Sequence, residues 1–260
     1  MISIIIPTFN ACNLLVLAVD SVLKQTWKDF ELIIVNDGST DKTEDLVKKY
    51  LPGGSDYDSR VKYIKADRNK GKTAALNKGI RAAQGTYLMF LDQDDTLPSE
   101  SLRIGVEFLM SHSTVVAIYG DALKIDISGK PFGIRKSKQV GSLSDIAGFY
   151  RNPIASSSMI MRKQVIDKVG SLDESFFRID DVWRNINVFL CGRIEYIPSV
   201  LLNYRIYRRS AILKYRLRTI YEFYILLNRY FTIYEKYTLL LKQMTFQMIK
   251  LTFELFSFYK

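Results

Sequence analysis

Four short apolar runs shape the first 110 residues, and each is followed by polar turn residues and then by a segment of helical periodicity. The runs are ISIII before Pro7, FELIIV, VKYIKA and TYLMFLD. Between them lie NLLVLAVDSVLKQ, TDKTEDLVKKY and KTAALNKGIRAA; in the first, Leu14, Leu15, Ala18 and Val22 fall on one helix face. Alternating strand and helix predicts a parallel, doubly wound sheet with helices on both faces. Ligands of such sheets bind beyond the carboxyl ends of the strands.

The strand ends therefore matter most. The first ends in Pro7-Thr8-Phe9-Asn10, the second in NDGSTD around Asp37, and the third in Asp67-Arg68-Asn69-Lys70-Gly71. Any one of these reads as an ordinary turn with a helix cap. Four in succession line one edge where a nucleotide could lie. The fourth, FLDQDDTLP, places Asp92, Asp94 and Asp95 directly after apolar residues. Such bunched carboxylates repel one another. A divalent cation shared with a diphosphate removes that repulsion, and Mg²⁺ and Mn²⁺ favour oxygen ligands of this kind.

Composition narrows the partners. A length of 260 residues with 48% hydrophobic content supports one domain, or one domain with an appendage. The formal charge of +10 points to an anionic partner: nucleic acid, a phosphorylated small molecule or an acidic membrane. Cys12 and Cys191 form neither a disulfide framework nor a metal-ligand spacing. With a start, MISIIIP, unlike a signal peptide and no apolar stretch of spanning length, the expected location is cytoplasmic.

The segments SIIIPTFNACNLLVLAVDSVLKQTWKDFELIIVNDGSTDKT, NKGKTAALNKGIRAAQGTYLMFLDQDDTLP and VGSLDESFFRIDDVW together resemble a family-2 glycosyltransferase of the GT-A fold. The resemblance implies a mixed nucleotide-binding sheet with flanking helices. It also implies metal-dependent, inverting transfer of a sugar from a nucleotide-diphosphate donor, most often a UDP sugar, to a glycan or lipid-linked hydroxyl. It sets Pro7, Thr8, Asn10 and Asp37 at the nucleotide and Arg68 at base or phosphate. Asp92 falls by the ribose or donor sugar, Asp94 is the principal ligand of Mn²⁺ or Mg²⁺, and Asp95 assists it. The segment at Asp121 faces the acceptor. The family's acidic pair here commonly reads Glu-Asp; this chain has Asp180-Asp181, with Asp181 expected as the base and Asp180 the other candidate. On spacing alone the same pair reads as a dipole-favoured helix start.

The implied catalytic domain covers 1–207, with a donor half at 1–110 and an acceptor half at 111–207. A helical extension follows at 208–260. In the acceptor half TVVAIYGDALKID, KPFGIRK and SSSMIMR read as strands, and KQVIDKVG as a short helix. Arg205, Arg208 and Arg209 are candidates for the diphosphate or an anionic acceptor, or form a solvated basic face. His112, the only histidine, reads as a surface residue. The segment 211–260 reads equally as a helix packed on the domain, a homo-oligomer contact or an interfacial helix on an anionic membrane. Two competing readings are a sugar nucleotidyltransferase, whose basic Gly-rich loop is replaced here by PTFNACN, and a basic nucleic-acid-binding protein. The resemblance favours no nucleic-acid partner.

Overall fold

The computed structural model describes residues 1–147, 153–206 and 213–232, the last of these with side chains from 218 onward. The first part of the chain follows the expected rhythm: β1 (Ile2–Thr8), α1 (Cys12–Leu23), β2 (Phe30–Asn36), α2 (Thr43–Lys48), β3 (Val61–Lys65), α3 (Lys72–Ala82), β4 (Tyr87–Phe90) and α4 (Ser101–Ser111). The second part adds β5 (Val115–Ile125), β6 (Pro131–Arg135), α5 (Leu143–Ala147), β7 (Ile160–Arg162), α6 (Lys163–Val169), α7 (Asp180–Cys191), β8 (Arg193–Arg205) and α8 (Leu213–Tyr230).

The strands form a mixed sheet in the order β3-β2-β1-β4-β7-β5-β6, with β8 on β5. β1, β2, β3 and β4 are parallel, and β7 runs antiparallel to both β4 and β5. β5 therefore points the same way as β4, and β8 is parallel to β5. The carboxyl ends of six strands share one edge of the sheet.

β1 is buried throughout, and its side chains alternate between the two faces of the sheet. Ile2, Ile4 and Ile6 pack with α1 and α4 on one face, while Ile5 packs with α3, α7 and α8 on the other. A fully buried isoleucine contributes about 1.5–3 kcal/mol of apolar transfer, so this strand anchors both layers. Gly79 lets α3 lie close over it; a Cβ there would stand 2.4 Å from Ile5 Cγ2.

Three features differ from the sequence expectation. SSSMIMR is not one strand: Ser156–Ser158 makes a 3₁₀ turn before β7. Ser158 donates its hydroxyl to the carbonyls of Ala155 and Gly120, a local alternative to ladder pairing. β8 has no counterpart among the expected strands. It pairs with β5 over its whole length, with its register shifted at Gly120 and Asp121. The start of the extension packs on the catalytic domain, for Phe223, Leu226, Leu227 and Phe231 are buried in the same core as Trp183 and Ile186. Residues 233–260 lie outside the described residues. Among the described helices none is long and apolar enough to cross a membrane.

A buried carboxylate locks the opposite edge. Glu31 accepts hydrogen bonds from the Ser3 hydroxyl (2.6 Å), Lys62 Nζ (2.7 Å) and the Gln84 N–H (2.6 Å). Burial raises its pKa, but these donors outweigh burial and hold it below the ordinary value of 4.5. A depressed folded-state pKa gives stability that is complete above the unfolded value and is lost as pH falls through the folded one. Glu31→Gln should therefore lower the urea midpoint at neutral pH, by a stability of about 1.5–3 kcal/mol for a charged hydrogen-bonded group. The midpoints of wild type and variant should converge below pH 4; parallel curves would contradict this account.

Candidate active site

The turns after β2 and β3 hold one another through Asp37. This carboxylate is buried at the end of β2 and accepts the N–H groups of Lys70 (3.1 Å) and Gly71 (2.7 Å). It thereby fixes the loop carrying Arg68, whose side chain is exposed. Gly38, at φ 72°, must be glycine, because a Cβ would meet the Arg68 backbone at 2.7 Å. Asn10 takes φ 48° and joins the same assembly: its N–H donates to the Ser39 hydroxyl and its Oδ1 accepts the Thr40 N–H. Pro7 and Thr8 are buried at the end of β1.

The acidic turn separates into three roles. Asp92 lies 2.6 Å from Lys72 Nζ, and Asp94 is half-buried at the turn. Asp95 points inward, 1% exposed, and accepts the Arg205 N–H at 2.9 Å. Burial, with Asp92 and Asp94 adding to it, pushes the Asp95 carboxyl well up. Arg205 is also buried and spends its guanidinium on the carbonyls of Asp94, Asp126 and Ile127.

The first residues of α7 face the same cleft. Asp180 Oδ2 is 3.9 Å from Lys72 Nζ, so one ammonium stands between Asp92 and Asp180. Burial opposes the charge on Lys72, but the two carboxylates outweigh it and raise its pKa. Burial lifts Asp180, and the Asp181 charge adds to that lift. Asp181 is half-buried, as Asp180 is; its Oδ2 accepts the Ser156 hydroxyl at 3.2 Å, and Ser156 accepts an N–H from Asn185. The α7 start is capped from outside the first 207 residues. Glu222 of α8 accepts the N–H groups of Arg178 (2.7 Å) and Ile179 (3.3 Å).

The cleft is electronegative: Asp92, Asp94, Asp180 and Asp181 stand against Lys72 and Arg184, and Arg184 lies over the Phe90 ring. Among the described residues no three His, Cys, Asp or Glu side chains gather closely enough to cage a metal. The residues fit a cation that takes one carboxylate from the protein and completes its shell with phosphate and water, the habit of Mg²⁺.

The sequence profile described as Glycosyl transferase family 2 matches residues 3–170. The chain belongs to glycosyl transferase family 2. It is 34% identical over 149 residues to an uncharacterized glycosyltransferase of Haemophilus influenzae, covering 57% of this chain and 58% of that one. It is 36% identical over 123 residues to TuaG, a Bacillus subtilis glycosyltransferase named for teichuronic acid biosynthesis, covering 47% of each. The chain thus spans about half the length of the curated relatives it matches. Its fold is that of S. aureus TarS in complex with UDP-GlcNAc, with a TM-score of 0.68 at 20% identity over 92% of this chain and 70% of that one. It also matches the Pyrobaculum calidifontis mannosyltransferase PcManGT in complex with GDP-Man and Mn²⁺, with a TM-score of 0.62 at 18% identity over 88% of this chain and 64% of that one.

The family-2 fold brings Asp37, Asp92, Asp94, Asp180 and Asp181 to one edge. Three expected residues sit elsewhere in the local chemistry. Asp95 points inward and braces β8 through the Arg205 N–H. Arg205 directs Nε and Nη1 onto the carbonyls of Asp94, Asp126 and Ile127. Asp121, expected at the acceptor, is buried and accepts from Lys136 (2.9 Å), the Ser137 N–H (2.9 Å) and the Tyr196 hydroxyl (2.9 Å). Arg208 and Arg209 lie outside the described residues. His112 is exposed and stacks on Phe108, as a surface residue does. Lys72, Ser156, Arg184 and Asn185 were not singled out from sequence. The only signal for Lys72 is its place in NKGKTAALN, at the head of α3, where a cation opposes the helix dipole.

The Lys72–Asp92 pair keeps 37% and 35% of its side-chain surface open, so its strength lies between a surface pair and a buried one. A double-mutant cycle of Lys72→Met and Asp92→Asn, read by urea unfolding, should show a coupling of about 1 kcal/mol. Additive single effects would mean that the ammonium does not hold the turn.

Proposed function

We propose that this family-2 protein transfers a sugar, with inversion, from a UDP-sugar donor to a hydroxyl of a cell-surface glycan or glycolipid. The observation that carries the reading is the meeting of the Asp37 loop, the acidic turn and the α7 carboxylates at one sheet edge. The donors in the TarS and PcManGT structures, UDP-GlcNAc and GDP-Man, support a nucleoside-diphosphate sugar as the substrate class. In this reading 1–110 holds the donor, 111–207 the acceptor, and 208–260 is the helical extension.

The Asp37 loop, with Pro7, Thr8, Asn10 and Arg68 around it, receives the nucleotide, and Asp92 orients the ribose or sugar. Asp94 is the protein ligand for Mn²⁺ or Mg²⁺, which when bound offsets the charge on the departing diphosphate. Asp181 accepts the acceptor's hydroxyl proton as that oxygen bonds the anomeric carbon. The bond from that carbon to the diphosphate oxygen breaks on the opposite side, and its electron pair leaves with the nucleoside diphosphate. Asp181 suits this role better than Asp180, since Asp180 faces Lys72 whereas Asp181 is oriented by the Ser156 hydroxyl. Asp180 is tied to Lys72 and acts by holding α7 against the donor loop.

Calorimetry with UDP and Mn²⁺ tests the donor site. Asp94→Asn should remove most metal-dependent UDP binding, whereas an affinity unmoved by EDTA and by the substitution would reject the metal role. Asp181→Asn should lower transfer by about 10²-fold or more, the usual worth of a general base, while UDP binding persists. Asp180→Asn should be milder in rate. Full transfer by both variants would remove the α7 pair from the chemistry.

A further inference from the structure

The β5–β6 hairpin takes part in none of these steps. Its residues 127–134 are all exposed, among them Ile127 (57%), Phe132 (58%) and Ile134 (48%). Three large apolar side chains in eight consecutive exposed residues form a patch, not scattered surface. Phe132 and Ile134 alternate onto one face of β6, and Ile134 pairs across the strands with Leu123. Leu123 and Ile125 in turn line a shallow cavity of about 450 Å³ with Leu17 of α1, which is itself exposed. The rest of that cavity is lined mainly by polar side chains, Asp20, Lys24 and Asn203 among them, so the apolar patch is the hairpin's own.

Charge selects what can cover it. The segment KIDISGKPFGIRKSK (124–138) carries Lys124, Lys130, Arg135, Lys136 and Lys138 against Asp126, a net +4 that becomes +3 once Asp121, paired with Lys136 at 2.9 Å, is included. The Asp126 carboxylate is taken up by the N–H groups of Ser128 and Lys130 within the turn. Lys130 and Lys138 are exposed. A second copy would bring like charge to like charge. A soluble anion would leave the apolar tip unused, and Pro131, lacking an N–H, makes β6 a poor template for strand addition. A surface that is apolar beneath and anionic above satisfies both halves.

We propose that the β5–β6 hairpin docks this protein on an anionic lipid bilayer, with Ile127, Phe132 and Ile134 entering the headgroup boundary and the lysines meeting lipid phosphates. β5 runs with β4, so the hairpin leaves the sheet at the edge that carries the acidic turn. Arg205 joins the two directly: Nη1 donates to the carbonyls of Asp126 (2.9 Å) and Ile127 (3.0 Å), and Nε to that of Asp94 (2.9 Å). Docking turns the cleft towards the bilayer. That orientation bears on a lipid-linked acceptor and to that extent rests on the sugar-transfer reading; the docking itself does not.

Flotation of the full chain with phosphatidylcholine vesicles, with and without phosphatidylglycerol, tests the proposal. Binding is expected to the anionic vesicles only and to weaken as salt rises. The triple variant Ile127→Ser/Phe132→Ser/Ile134→Ser should lose on the order of tenfold or more in vesicle binding, since three apolar side chains leave the interface. Lys130→Glu/Lys138→Glu should remove most of the salt-sensitive part. All five positions are exposed, and an unchanged melting temperature with retained UDP binding in calorimetry certifies the fold. Vesicle binding of the triple variant within about twofold of wild type would overturn the proposal and assign any anchoring to another segment. A wild-type dimer that the triple variant converts to monomer would overturn it in favour of a second copy. UDP calorimetry is read separately, so failure of docking and failure of the donor site are distinguishable.

Discussion

The ammonium of Lys72 sits where the two halves of this protein meet. It comes from α3 in the first part of the chain, pairs with Asp92 of the β4 turn and faces Asp180 of α7 in the second. Remove that charge in thought, and the Asp92 and Asp180 carboxylates lose the cation between them. Two like charges about 4 Å apart repel by about 1 kcal/mol in water and several times that at protein-like dielectric. Asp181 adds its charge beside this pair, and Arg184 stands with Lys72 against the three carboxylates.

Arg205 does for the rim what Lys72 does for the floor. Its guanidinium and backbone N–H tie the acidic turn, the end of β8 and the β5–β6 turn into one body. Thr96 and Asn203 add an isolated bridge between the same turn and β8. The acidic turn is thus held from behind by inward-facing Asp95 and leaves Asp94 at the turn's surface. Adjacent residues acquire opposite roles because a turn points successive side chains in different directions.

That division explains what the sequence reveals and what it conceals. Central strands such as ISIII are legible because burial on both faces demands an unbroken apolar run, and β1 and β2 obey it. The strand-end turns are legible because a doubly wound sheet puts them on one edge whatever their details. Asp94 and Asp95 are chemically identical in the sequence, and only the third partner, Arg205, more than a hundred positions away, separates them. Lys72 looks like any solvated lysine at a helix start until Asp180 arrives from the other half. β8 escapes notice because Pro198 interrupts its pattern near the register shift at Asp121. Asp121 itself reads as an acceptor group only until Lys136, Ser137 and Tyr196 are seen to occupy its oxygens.

The family profile ends at residue 170, before the α7 carboxylates begin. The electrostatics of the cleft nevertheless require what lies beyond. Asp180 is the partner that makes Lys72 a bridge, and α7 is set in place by Glu222, whose carboxylate takes two backbone N–H groups at the helix start. Glu222 is itself 2% exposed and held by Arg218, while its helix buries Phe223, Leu226 and Leu227 against α7's own layer. Cutting the chain near Tyr207, where the sequence suggests a separable extension, would strip that cap and uncover those side chains together. The strand-end turns are set within the first 110 residues, whereas the position of the α7 carboxylates is a property of the chain through α8.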